Sequence, residues 1–517
     1  MADNFESPSQ TFSLFDYVIL TLMLLISTAI GIYHAFSGGR QKTTSEFLLA
    51  DRTVHPIVSA LSQVASFISG ITMLGTPAET YIYGSMYWLY GFSMIITGFI
   101  TSCLFIPVFM RLEITSIYEF LYLGIVLYAP ALALSAVAGI SLWGSVIAIG
   151  IICTFYTTIG GMWAVLWTDV FQVIVMIAAF ISVIIGGCMK LGGMDTMWQI
   201  AEEGGRVDFW DFRVDPTIRH TFWSVVIGGG MTWGTMYCTN QAQLQRCIAV
   251  GSLKRAQITL ILSFIGIIIV ISLACLCGLT MYANYVGCDP LARNRIDKSD
   301  QLLVFFIMDL FANAPGLSGF FTSGVFSAAL STLSSSLNAL VAVTIEDFVK
   351  PFWKDMSDDY LTKLSKLLVL IYGVLVIFIA LLVSVMSTEI LQLALGLFGI
   401  IGGPLIGLFS LGMFFPWTNS KGAISGLVFG LIITLWIGIG ALIYPPYVPK
   451  LPVSTDGCLN TSLPVYTTQD TYTLEEHQYQ FALSTFYSIS YAWYASIGYA
   501  CTVLFGLLIS FVTGEFY

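Results

Sequence analysis

The stretch Ala65-Ser-Phe-Ile-Ser-Gly-Ile-Thr-Met-Leu-Gly-Thr-Pro77 is apolar enough to cross a membrane, yet it carries Gly70, Gly75 and Pro77 in its interior. Glycine and proline lower the cost of unwinding a helix, and unwound backbone at membrane depth survives only where it faces protein or a wet cavity. A second interruption, Gly228-Gly-Gly-Met-Thr-Trp-Gly-Thr-Met-Tyr-Cys-Thr-Asn-Gln-Ala-Gln-Leu-Gln-Arg246, sets a glycine triplet and a polar tail inside another apolar block. Close packing through small residues accounts for either one alone. Both together point to a binding site between two discontinuous helices, the arrangement used for alternating access.

Outward from these breaks the chain is a string of apolar blocks of about 20 residues, the length that crosses hydrocarbon. They lie at 14–36, 56–80, 84–110, 117–138, 141–160, 166–190, 221–239, 256–283, 316–345, 364–386, 389–414, 422–444 and 484–512. This predicts an all-α polytopic membrane protein with thirteen transmembrane helices. Charged residues make up 10% of the 517 residues, 20 Lys+Arg against 30 Asp+Glu, where a soluble domain carries about 25%. The net charge of −10 excludes a general nucleic-acid binder and belongs to acids in a few hydrophilic loops. His34, His55, His220 and His477 have no Cys or carboxylate at ligand spacing, which argues against a zinc site. The acidic start MADNFESPSQ lacks the basic region and cleavage site of a signal peptide, so the first block is expected to remain as a helix.

An odd span count puts the termini on opposite sides. With the N-terminus (1–13) outside, the inside loops hold Arg40, Lys42, Arg52, Arg111, Arg246, Lys254, Arg255, Lys350, Lys354, Lys363, Lys366 and Lys421, as the positive-inside rule asks. One transporter domain then spans 14–513, with outer loops at 191–220, 284–315 and 445–483, an inner loop at 346–363 and an inner C-terminus at 514–517. Lys190, Arg206, Arg213, Arg219, Arg293, Arg295, Lys298 and Lys450 fall in the long outer loops. The sequon at Asn460 lies outside and is a candidate for glycosylation. Cys288 and Cys458, on the same predicted face, are a candidate disulfide in a compartment that permits one.

The segment Phe326-Ser-Ala-Ala-Leu-Ser-Thr-Leu-Ser-Ser-Ser-Leu-Asn-Ala-Leu-Val-Ala-Val-Thr344 is an apolar helix loaded with hydroxyls. Ala328, Ser331 and Thr332 stand at i, i+3 and i+4, so a carbonyl and two hydroxyls face one spot. Carbonyls released at Ala65 and Ile68 complete a five-oxygen cage suited to Na+. The alternative is that these hydroxyls bond back to carbonyls four residues earlier. Asp169, in WTDVFQ at the start of a span, is the sharpest intramembrane acid. Such groups mark ion pathways, although an Asp in a first turn also caps its helix. Asp16 and Glu79 lie nearer span ends, where water reaches them.

At these residues the chain resembles a known family. The run GISLWGSVIAIGIICTFYTTIGGMWA, 139–164, looks like the signature of the sodium:solute symporter family. TDVFQ, NQAQ with QR, the hydroxyl spacing and VTIEDFVKP resemble its branch for monocarboxylates, multivitamins and iodide. The resemblance covers essentially the whole chain. It implies a LeuT-like fold of inverted five-helix repeats with extra helices, and no enzymatic activity. It also implies Na+ as coupling ion on the carbonyls of Ala65, Ile68 and Ala328 and the hydroxyls of Ser331 and Thr332, with Asp169 on the inner sodium route.

The expected function is Na+-coupled symport of a small anion, a monocarboxylate or vitamin first and an iodide-like anion second, across the plasma membrane. Phe67, Thr72, Trp233 and Tyr237, at the two breaks, are expected to line the substrate. Ser334 and Asn338 are candidate oxygens of a second sodium site. Rival readings are a sodium- or solute-binding channel or sensor, and an inactive isoform. The last follows from a departure: where the family carries a basic stretch and half a long helix, Leu121 runs directly into Tyr122. About 20 residues are missing by comparison, enough for one crossing.

Overall fold

Pro56 suits a first helical turn, where its absent N–H costs nothing, and the Ile57 amide donates to Nδ1 of the preceding His55 at 3.3 Å. The helix Pro56–Phe67 ends where Ile68 (φ −86°, ψ 89°) and Ser69 (φ −82°, ψ 169°) leave helical geometry. The chain resumes as Gly70–Tyr83, bent by 60° from the first half. The anticipated interruption therefore falls at 68–69, just ahead of Gly70. Pro77 lies within the second half, where it removes one backbone donor from the ladder.

The computed structural model describes residues 12–36, 44–112, 120–138, 141–293, 295–296, 298–353, 356–383, 390–458 and 484–514. Among these residues every regular element is a helix and none is a strand. Nine described helices are long and apolar enough to cross a membrane, ten when the bent pair counts as one. The blocks expected at 117–138 and 141–160 contain shorter apolar helices, Tyr122–Ala133 and Leu142–Thr158. Among the described residues, length and apolarity thus license a multi-pass helical membrane protein.

The spans expected at 141–160 and 166–190 are joined in one helical run, Leu142–Leu191, that turns at Gly161 with φ +58°. Any larger residue is strained there. A Cβ would also stand 2.8 Å from Phe47 Cδ2 and 3.0 Å from Phe47 O, so glycine lets the short helix Thr44–Leu49 close on the turn.

Burial sorts the helices into centre and rim. The most apolar window of Leu317–Val349 is 94% buried, against 28% for Asp358–Val383. The first of these contains the hydroxyl helix Leu317–Val343, which is the axis of the bundle. It packs on Leu142–Leu191, on Leu14–Phe36 and on the first half of the broken pair. Elsewhere Gly422, Gly426 and Gly430 bring Ser420–Ile443 against the backbone of Tyr494–Thr513, the close approach that small residues allow between membrane helices.

Several charges expected at water are buried. Asp16 is 5% exposed. Its Oδ1 accepts from the amides of Gly316 at 3.0 Å and Gly319 at 2.8 Å, holding the positive end of the hydroxyl helix. Glu79 pairs with Arg219, and Arg206 and Arg246 are fully buried. The physical reason is common to all: partners contributed by distant segments replace water.

Candidate functional site

The end of Pro56–Phe67 leaves its last carbonyls without partners inside the helix, and the hydroxyl helix crosses at that point. Thr332 Oγ1 donates to Ser66 O at 2.8 Å and to Ala328 O at 3.1 Å. The second contact is the back-bond to i−4, and the first reaches across to the break. Ala65, Ile68, Ala328, Ser331 and Thr332 are all buried around this crossing.

One turn along, the oxygens become charged. Ser331 Oγ donates to Asp169 Oδ1 at 2.6 Å, and Ser62 Oγ donates to Asp169 Oδ2 at 2.5 Å. Asp169 Oδ2 also receives Arg246 Nη2 at 3.1 Å. The guanidinium further donates through Nε to Ser62 Oγ at 2.7 Å, through Nη1 to Ala242 O at 2.9 Å, and through Nη2 to Ser66 Oγ at 2.7 Å and to Ser335 Oγ. Arg246, counted from sequence among inner-loop cations, is instead the counter-charge of Asp169. It arrives on the helix Gln241–Ala249, whose N-cap Asn240 accepts from Gln243 N at 3.2 Å.

Ser335, four residues past Ser331, faces this pair. Ser334 points back into its own helix, donating to Ser331 O at 3.1 Å. Asn338 lies deeper, its Nδ2 3.9 Å from Met162 Sδ and its Oδ1 without a hydrogen-bond partner. Gln172, one turn beyond Asp169, has both amide atoms buried and unpartnered. The i+4 spacing from Ser331 and i+3 spacing from Asp169 were the available signals for Ser335 and Gln172. For Arg246 the signal was its place in the polar tail NQAQLQR.

The four expected substrate-lining residues lie beside the break. Phe67 and Tyr237 meet at a tilt of 34° with ring centroids 4.6 Å apart, and the Tyr237 centroid is 6.3 Å from that of Trp233 and 4.5 Å from that of Phe264. Thr72 is on the first turns of the second half, 8% exposed. Trp233 Nε1 is buried without a hydrogen-bond partner. Buried polar atoms of that kind are costly unless something else meets them. The positive end of Gly70–Tyr83 starts at the same place.

Toward Tyr83 a second polar group closes the bundle. Arg219 Nε and Nη2 donate to Glu79 Oε1 and Oε2 at 2.6 and 2.9 Å, and Nη1 donates to Gln392 Oε1 at 2.8 Å. His220 Nε2 lies 2.8 Å from Tyr491 OH. Burial, and then the Arg219 charge, hold the His220 imidazole well below its ordinary pKa. Cys288 and Cys458 form a disulfide with Cα atoms 5.0 Å apart. Asn460 and the junction residues 113–119 lie outside the described residues.

Residues 112–430 match the model of the sodium:solute symporter family. Over 537 aligned positions the chain is 42% identical to sodium-coupled monocarboxylate transporter 1 of Homo sapiens, covering 98% of the chain and 88% of that protein. The alignment is longer than the 517-residue chain, so the relative carries residues absent here. The sodium/iodide cotransporter of Homo sapiens is 39% identical, with 98% and 84% covered. Among solved structures, a substrate-bound, outward-open Na+-coupled sialic acid symporter matches with a TM-score of 0.76 at 22% identity, over 97% of this chain and 98% of that one.

Proposed function

The chain belongs to the sodium:solute symporter family and is a multi-pass transporter, not an enzyme, with Na+ as its coupling ion, and from this premise we propose that it takes up a small monoanion across the plasma membrane by alternating access. A monocarboxylate or a vitamin carboxylate is the substrate class, with an iodide-like anion as the other member. The observation that carries this reading is the helix break at 68–69 held against the hydroxyl helix by Thr332. There, uncharged oxygens and the positive end of a helix stand side by side, one suited to Na+ and the other to an anion.

In this reading the carbonyls of Ala65, Ile68 and Ala328 and the hydroxyls of Ser331 and Thr332 hold Na+. Asp169 lines the route by which it leaves, and Asn338 with Ser334 supplies a second site. Phe67, Thr72, Trp233 and Tyr237 surround the anion. The N-terminus and the loops 191–220, 284–315 and 445–483 face outward, Asn460 carries a glycan, and thirteen spans include LeuT-like inverted repeats. The family resemblance supports the sodium residues and the repeats, the distribution of basic residues supports the topology, and the sequon supports the glycan.

Uptake of lactate, nicotinate, pantothenate, biotin, iodide and glucose, with and without Na+, tests the reading. Concentrative, Na+-dependent uptake of one anion and exclusion of glucose are expected. Na+ flux without solute accumulation would replace it with the channel reading. An alignment longer than the chain favours one further outcome, low activity of the chain as it stands.

A further inference from the structure

Away from the helix break, the last turn of Gly70–Tyr83, the start of Leu391–Phe414, the end of Ser420–Ile443 and residues 445–450 enclose a cavity of about 410 Å3. Tyr83 lies eleven residues beyond Thr72, about 16 Å along the helix at 1.5 Å per residue, so the cavity is separate from the aromatic cluster at the break. Its volume falls within the range of small-molecule sites.

The walls are of two kinds. Leu393, Leu397, Ile400, Leu442 and Pro445 supply an apolar slot, while Lys450 brings an exposed ammonium and Arg219 a guanidinium whose charge Glu79 already balances, and among the described residues no carboxylate lines the space. Arg219 is held in place by Glu79 and Gln392, so its head is ordered before anything binds. The roof is fastened as well. Leu451 N donates to Ile82 O at 3.1 Å, Asp289 N to Ser454 O at 3.0 Å and Gly457 N to Gly287 O at 2.8 Å, with the Cys288–Cys458 disulfide just beyond. A preformed slot with cations and apolar walls spends little on ordering when it is filled.

We propose that this cavity is a second binding site, for an amphipathic organic anion whose carboxylate meets Arg219 and Lys450 and whose aryl or branched alkyl body fills the slot. The site does not depend on the sodium cage, and it lies between Leu391–Phe414 and the fastened segment 445–450.

The test uses the full chain in lipid nanodiscs with tritiated 4-phenylbutanoate as probe. One saturable equivalent is expected in Na+-free buffer. Gly396→Leu and Ala441→Leu, from opposite walls, fill the slot and are expected to weaken that binding at least tenfold. At Gly396 the nearest atom to an added Cβ is Tyr494 Cε2 at 4.0 Å, so the new side chain has room to enter. Lys450→Ala is expected to weaken binding severalfold, and Ser331→Ala with Thr332→Ala to leave it unchanged. Absence of Na+-free binding, or equal binding in both filled variants, overturns the site. Any further equivalent that appears only with Na+ reports on the break and bears on the symport reading alone.

Discussion

Ser331 and Thr332 stand at adjacent positions on the hydroxyl helix and have different partners, one a carboxylate and the other a carbonyl at the break. Both Ser331→Ala and Thr332→Ala are expected to raise the half-saturating Na+ concentration for uptake more than they lower surface expression, with Ser336→Ala mild. Na+ titrations of uptake decide this, and wild-type Na+ dependence in the double variant would show the cage to be misplaced. Arg246 carries a different burden. Removing it leaves Asp169 as an uncompensated buried charge, at a cost of about 3–5 kcal/mol. Arg246→Ala is therefore expected to lose most folded protein in a detergent thermal-stability assay. Asp169→Asn with Arg246→Met, which removes both charges, should recover much of it. If the single and double variants were equally unstable, the pair would not be what holds these helices. The face of Ala328, Ser331 and Thr332 was legible in the sequence, but the pairing of Arg246 with Asp169 was not, because only folding decides whether a loop cation meets an acid or water.

Among the helices, Phe120–Ala138 is short for a crossing. Its 19 residues give about 28 Å at 1.5 Å per residue, slightly less than a hydrocarbon core of about 30 Å. Drawing Glu119 into the bilayer to lengthen it would cost about 3 kcal/mol unless the charge reached water or a partner. Inserting an apolar segment with basic flanks after Leu121 is expected to increase surface expression and uptake. Full Na+-driven uptake by the unaltered chain would show that the short helix suffices. The segment 445–458 is secured by a disulfide that closes a separation of 170 residues. Breaking a closure of that kind typically costs about 2–4 kcal/mol. Cys288→Ser and Cys458→Ser are expected to lower thermal stability equally and non-additively, and maleimide labelling of both thiols in intact, unreduced cells would contradict the pairing.

For the molecule as a whole, energetics limit the stoichiometry. One Na+ crossing about 60 mV gains about 1.4 kcal/mol, and a tenfold concentration ratio adds about as much. A monoanion carried with a single Na+ moves no net charge and draws only on the second term. Strong accumulation therefore calls for at least two Na+ per anion, and an inward current is expected during uptake under voltage clamp. Electroneutral uptake would assign one Na+ per cycle and leave Asn338 and Ser334 without a role in coupling. The unpartnered Asn338 Oδ1 is the structural reason to look there first.

The sequence by itself determined the helical, multi-pass character, the interruption near Gly70, the hydroxyl face of Ala328, Ser331 and Thr332, and the resemblance to a sodium-driven family. These are local properties: hydrophobic length, helical spacing and the unwinding tendency of glycine act within a few turns. Tertiary structure alone decided which charges are neutralised and by whom. Asp169 with Arg246, Glu79 with Arg219, and Asp16 with the amides of Gly316 and Gly319 are separated in sequence by 77, 140, 300 and 303 residues. Burying a charge costs far more than leaving it at the surface, so each can be buried only because a distant segment brings a partner to it, and no local pattern records that meeting.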